Sequence, residues 1–122
     1  MQELTHYING AHVAGASGRF SNVYNPATGE VQAKVPLASA DEMAQAVEIA
    51  AAAQVSWGAV NPQRRARVMM KFVDLLNRDM DALAEALSRE HGKTLPDAQG
   101  DVQRGLEVVE YCIGAPQMLK GD

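Results

Sequence analysis

Four groups in this sequence could do chemistry: the guanidinium of Arg104, the thiol of Cys112, the tripeptide Gly92-Lys93-Thr94, and the histidines His6 and His12. Arg104 is the most informative. At about 100° per residue on a helix, Val102, Leu106, Val109 and Ile113 share one side, and Gln103, Glu107 and Glu110 share another. Arg104 falls in a third sector with Val108 and Tyr111, flanked by Gly105 and Cys112, which is too apolar for a fully wet face. A guanidinium there would be partly desolvated and would grip a carboxylate or phosphate through two parallel hydrogen bonds. The plainer reading, favoured by wheel geometry alone, is an arginine that is solvated or paired locally.

The other groups offer less. A thiol becomes a nucleophile beside a base, a cation or a helix N-terminus; Cys112 stands late in a helix among apolar neighbours, so packing is its expected role. Gly92-Lys93-Thr94 matches the end of a phosphate loop in three letters only, because the earlier glycine is missing and no strand precedes it. Gly15-Ala16-Ser17-Gly18 opens no helix and carries no dinucleotide fingerprint, so it reads as a loop. His6 and His12 could face each other across a hairpin, but they lack a third ligand and no metal is expected. Arg64, Arg65 and Arg67 near a helix start oppose its dipole; they read as solvated, with an acidic partner inside the fold as the alternative. Trp57 is expected to anchor the end of the first helix in the core.

The elements that must position these groups change character along the chain. Asn9-Gly10 supplies two positive-φ residues for a tight hairpin within Tyr7 to Val13. Phe20 to Asn25 reads as a strand, Pro26-Ala27-Thr28-Gly29 as a turn, and Glu30 to Leu37 as a strand wet on one face, since Val31, Ala33 and Val35 alternate with Gln32 and Lys34. Ser39-Ala40-Asp41-Glu42 is a capping box that should open a helix reaching about Trp57. Asn61-Pro62 starts a second, with Val68, Met69, Phe72, Val73 and Leu76 on one face. Met80, Leu83, Ala84 and Leu87 continue in a third that His91-Gly92 can close, and Pro96 opens a fourth running to about Gly114.

Nothing resembling a linker or a repeat divides the chain, so one structural unit is expected. Its 122 residues, 47% hydrophobic, suffice for one domain, and an aromatic share of only 5% favours helix packed on helix over a β-sandwich. A net charge of −4 gives no general attraction to nucleic acid or anionic lipid, and neither is an expected partner. One cysteine cannot make an internal disulfide, residues 1–7 carry no secretory pattern, and the chain reads as cytoplasmic. Four short strands cannot cover these helices on both sides, so more chain is expected to complete the sheet.

Taken in order and spacing, Tyr7-Ile8-Asn9-Gly10, Tyr24-Asn25-Pro26-Ala27-Thr28-Gly29-Glu30, Trp57 after an alanine-rich helix, and Glu90-His91-Gly92-Lys93-Thr94 resemble the aldehyde dehydrogenase superfamily over essentially the whole chain. Pro62-Gln63-Arg64-Arg65-Ala66-Arg67, Gly100-Asp101-Val102-Gln103-Arg104-Gly105 and Gly114-Ala115-Pro116 are similar to the branch that acts on malonate and methylmalonate semialdehyde with coenzyme A. The resemblance implies an α/β fold in which residues 1–122 are the N-terminal part of a Rossmann-like NAD-binding domain. Residues 1–37 would hold short antiparallel strands and the hairpin, and residues 38–122 about four helices. It further implies a cysteine thiolate that attacks the aldehyde, hydride transfer to NAD, and transfer of the thioester to coenzyme A with loss of carbon dioxide. The nucleophile and the NAD contacts would map beyond Asp122, so no catalytic, cofactor-binding or metal residue is assigned here, and neither NAD nor CoA is expected on this segment alone. Arg104 matches a recognised carboxylate holder and becomes the substrate-binding candidate. The complete enzyme would be a homo-oligomer. The alternatives are an NAD(P)-linked aldehyde dehydrogenase without the CoA step, opposed by Arg104 and its flanks, and a non-catalytic helical interaction module.

Overall fold

The computed structural model describes residues 2–121, which fall into two compact units, one ending at Ala59 and one beginning at Val60. This corrects the expectation of a single unit. The break needs no flexible linker: Asn61 caps a new helix, and Pro62 has no amide hydrogen with which to continue the old one.

The first unit carries five strands, β1 (Gln2–Glu3), β2 (His6–Ile8), β3 (Ala11–Val13), β4 (Phe20–Tyr24) and β5 (Val31–Pro36), followed by α1 (Ala40–Ala59). β2 and β3 form the hairpin, with Asn9 at φ 54° and Gly10 at φ 75°, the backbone a two-residue turn of this hand requires. The other strands form a sheet in the order β1-β5-β4. β4 runs antiparallel to β5, while β1 runs parallel to it, with Gln2 opposite Ala33 and Glu3 opposite Lys34. The parallel pair departs from the all-antiparallel expectation, because a two-residue strand carries no periodicity that a sequence pattern could reveal.

The turn between β4 and β5 shows why Asn25 to Glu30 has its composition. The Asn25 side chain accepts from the Ala27 amide at 2.9 Å, its carbonyl accepts from Gly29 at 2.8 Å, and Gly29 sits at φ 74°. β5 is the middle strand and is not wet on one face: Ala33 and Pro36 are buried and the residues between are half-buried. Gly15 lies so close to Pro36 that a Cβ at position 15 would stand 2.6 Å from the proline Cβ.

The capping box forms as expected. The Glu42 amide donates to Ser39 Oγ at 3.1 Å, and the Glu42 carboxylate accepts from the Ser39 amide at 2.8 Å. Its other oxygen accepts from the Ala16 amide at 2.6 Å, tying the loop before β4 to the start of α1. Beyond that tie α1 is thinly covered, with Ala46 and Ile49 half-buried. It has no buried residue, and every position from Ala50 to Ala59 is exposed. Trp57, 45% exposed, therefore anchors no core, contrary to its expected role.

The second unit comprises α2 (Pro62–Arg78), α3 (Met80–His91), α4 (Leu95–Ile113) and a short α5 (Ala115–Met118), one helix more than the sequence pattern suggests. Asn61 Oδ1 accepts from the Gln63 amide at 2.8 Å, with Pro62 in the first turn. Asp79 joins α2 to α3, and Gly92 closes α3 at φ 82°. Both α2 and α3 lie against α4. Three of the four buried residues of this unit are alanines, Ala66 of α2, Ala84 of α3 and Ala98 of α4, and the fourth is Leu106 of α4. Alanine at the contact lets helix axes approach closely. The expected stripe of α4 holds, with Val102, Val109 and Ile113 half-buried beside Leu106. On α2 the expected face is only partly covered, since Met69, Val73 and Leu76 are half-buried whereas Val68 and Phe72 remain exposed.

Across the described residues no large side chain is fully buried and no polar residue is buried. A finished domain of ordinary size normally encloses several such apolar side chains. Among the described residues no helix is long and apolar enough to cross a membrane.

Candidate functional site

The turn from α3 to α4 is held by local hydrogen bonds. The Gly92 amide donates to the Ser88 carbonyl at 2.8 Å, Ser88 Oγ donates to the Lys93 carbonyl at 2.7 Å, and Thr94 caps α4 through Asp97. With its backbone fixed in this way, Lys93 reaches along the first turns of α4, and its ammonium pairs with Asp101 Oδ2. Asp101 Oδ1 accepts from Arg104 Nη2 at 3.1 Å, one helical turn on. Arg104 Nη1 donates to the Gly100 carbonyl at 3.3 Å.

Lys93, Asp101 and Arg104 thus form one ionic chain. The hydrogen bond from Lys93 is the main cause holding the Asp101 carboxyl below its usual range; the charges of Lys93, Arg104 and His91 act in the same direction, against partial desolvation. The Arg104 side chain is 71% exposed, and its sector partners Val108 and Tyr111 are exposed as well. Arg104 is therefore not desolvated as its sector suggested but follows the plainer reading, paired locally with Asp101 and the Gly100 carbonyl and otherwise open beside exposed apolar residues. Such a fork can receive a carboxylate through two parallel N–H donors. The sequence pattern raised Lys93 only within the rejected phosphate-loop match and did not single out Asp101 or the pairing of the two. The Asp101 to Arg104 spacing of one turn was the available signal, whereas the Lys93 pairing depends on how the α3–α4 turn folds back.

The remaining groups are not drawn into this site. Cys112 is exposed, so it is not the packing residue expected. His12 lies opposite Tyr7, not His6, with its ring edge-on to the tyrosine at 5.3 Å and its Nδ1 2.9 Å from Thr5 Oγ1. No group of metal-ligating residues is found among the described residues. Arg64 and Arg67 are exposed, and Arg65 is half-buried with its Nε lacking a hydrogen-bond partner.

The first unit holds a separate cavity of about 400 Å³ between the hairpin and α1, lined by Ile8, Val13, Ala46 and Ile49 with His6 and Glu42 at its polar side. Backbone hydrogen bonds from Ser39 and then Ala16 hold the Glu42 carboxyl below its usual range.

A dinucleotide pyrophosphate characteristically sits on free amide donors at a helix N-terminus behind a glycine-rich turn. Here the first turns of α1, α2 and α4 are occupied by Ser39 and Glu42, by Asn61 and by Thr94. α3 follows Asp79, whose carboxylate is taken by Arg78 at 2.7 and 2.9 Å, and no glycine-rich turn precedes it. These residues do not fit a phosphate-holding role.

A model of the aldehyde dehydrogenase family matches residues 12–122. The chain is 44% identical over 122 residues to a malonate-semialdehyde dehydrogenase of Pseudomonas aeruginosa, covering all of this chain and 24% of that one. It is similar to a solved structure from Sinorhizobium meliloti 1021, assigned as a methylmalonate-semialdehyde dehydrogenase and complexed with NAD, at 65% identity and TM-score 0.92, covering 96% of this chain and 24% of that one. A methylmalonate-semialdehyde dehydrogenase of Oceanimonas doudoroffii matches at 43% identity and TM-score 0.95, over 100% of this chain and 25% of that one. The chain spans about a quarter of the length of the curated relatives it matches.

Proposed function

The chain belongs to the aldehyde dehydrogenase family, and on that premise we propose that it is the N-terminal part of the NAD-binding domain of a CoA-acylating malonate- or methylmalonate-semialdehyde dehydrogenase. The reaction would convert methylmalonate semialdehyde, CoA and NAD to propanoyl-CoA, carbon dioxide and NADH, or malonate semialdehyde to acetyl-CoA. The nucleophile, the dinucleotide and the thioester step belong to sequence outside these residues. What these residues contribute is scaffold and one substrate contact.

That contact is Arg104. The observation that carries it is a guanidinium held on one edge by Asp101 and the Gly100 carbonyl and otherwise open beside Val108 and Tyr111. A carboxylate docked on the free edge would gain charge-assisted hydrogen bonds, and further chain laid over the apolar neighbours would strengthen them by excluding water. Holding the carboxylate fixes where the aldehyde carbon at the other end of this short substrate lies. The uncovered apolar faces are consistent with burial against more chain and against further copies, so a homo-oligomer is proposed, working in the cytoplasm.

In the complete enzyme, Arg104→Leu is expected to lower kcat/KM for methylmalonate semialdehyde by about 10- to 100-fold, the scale of a lost hydrogen bond to a charged group. The loss for propanal should be much smaller. Equal losses for the two aldehydes would contradict the carboxylate role.

A further inference from the structure

We propose that Lys93 and Asp101 are positioning residues that set how much of the Arg104 charge is open to a substrate carboxylate. The inference rests on the carboxylate-holding role given to Arg104 above. An aspartate one turn before that arginine acts in two opposed ways. Through Oδ1, at 3.1 Å from Nη2, it steadies a long side chain that would otherwise sample many rotamers. As an anion it also competes with any incoming carboxylate for the same fork.

Lys93 resolves the conflict. Its ammonium takes Oδ2, so Asp101 spends one oxygen on the lysine and only one on the arginine. The three charges sum to a net positive one, and the surplus lies on the exposed Arg104, whereas the Lys93 and Asp101 side chains are 22% and 33% exposed. Without the lysine, both carboxylate oxygens are free to engage the guanidinium. A bidentate carboxylate is the strongest partner an arginine has. The fork would then be closed from within, and the local field would fall to neutral.

The ordering of the α3–α4 turn supports this role. The Lys93 carbonyl is held by Ser88 Oγ, and the next residue, Thr94, caps α4, so the lysine starts from a fixed backbone and its reach to Asp101 is set by the fold.

The test uses the complete enzyme with methylmalonate semialdehyde and propanal as paired substrates at low ionic strength. Lys93→Met is expected to raise KM for the semialdehyde by about fivefold relative to propanal, the upper scale of an exposed ion pair. Lys93→Arg, which keeps the cation, should recover most of that loss. Adding Asp101→Asn to Lys93→Met removes the competing anion and should bring KM for the semialdehyde back toward the parent value. A merely structural role would affect both aldehydes alike and make the double variant worse than the single one; either result would overturn the proposal. Arg104→Leu, run alongside, separates the two levels. Loss of substrate discrimination in that variant with no selective effect at Lys93 refutes the positioning role alone, whereas no discrimination lost at Arg104 removes the reading beneath it.

Discussion

α1 runs 20 residues and buries none of them, whereas α4 runs 19 and buries Ala98 and Leu106 along a continuous stripe. Their local sequences run the other way. α1 is alanine-rich and begins with a complete capping box, so propensity and capping favour it without help from the rest of the fold. α4 contains Gly100 and Gly105, each costing about 1 kcal/mol relative to alanine in a helix interior, and is held by the two helices packed against it. A helix can therefore be written locally or written by its neighbours. α1 is the first kind, and its exposed Met43, Val47 and Val55 form a face with no cover among these residues.

The contrast predicts unequal responses to substitution in the 122-residue chain. Leu106→Ala, at a position 3% exposed, should destabilise the second unit by about 2–4 kcal/mol, read as lost amide-exchange protection along α4. Val55→Ala, at a position 75% exposed, should stay within about 0.5 kcal/mol. Comparable effects at the two sites would mean that α1 has a core of its own. Ser39→Ala should come between them, at about 1 kcal/mol of α1 stability measured by circular dichroism, because an N-cap oxygen is lost from a helix with little else to hold its start.

Acid should act on the same cap. Glu42 has a folded pKa below its ordinary value, so its contribution is complete above the usual glutamate range and is lost as pH falls through the depressed folded value. The start of α1 and its tie to Ala16 should therefore loosen at pH below the usual glutamate range, as followed by amide exchange at Ala16 and Ser39. Glu42→Gln should flatten that dependence. A parent chain whose exchange at these amides ignores pH in this range would remove the carboxylate from the cap.

What was legible in the sequence follows the same division between local and distant causes. Asn9-Gly10, Ser39 with Glu42, Asn61-Pro62 and Gly92 each announce a turn or a helix end through their own backbone preferences, and each does so in the structure. The parallel pairing of β1 with β5 joins residues some thirty positions apart and left no local trace. Trp57 was expected to anchor a helix end and Cys112 to pack among apolar neighbours, yet both are exposed, since burial is set by what packs against a residue and not by its own apolarity. At the candidate site, the helical wheel placed Arg104 in its own sector, and the exposed Val108 and Tyr111 share that sector. The wheel could not supply Lys93, whose pairing with Asp101 crosses the end of one helix and the beginning of the next.

All of this depends on helices whose greasy sides are built to lie against further chain. The most direct test is hydrophobic-dye fluorescence combined with sedimentation of the purified 122-residue polypeptide. Strong dye binding or concentration-dependent association is predicted, in keeping with the exposed Met43, Val55, Val68 and Phe72. A monomer that binds no dye and melts in one sharp transition would contradict it.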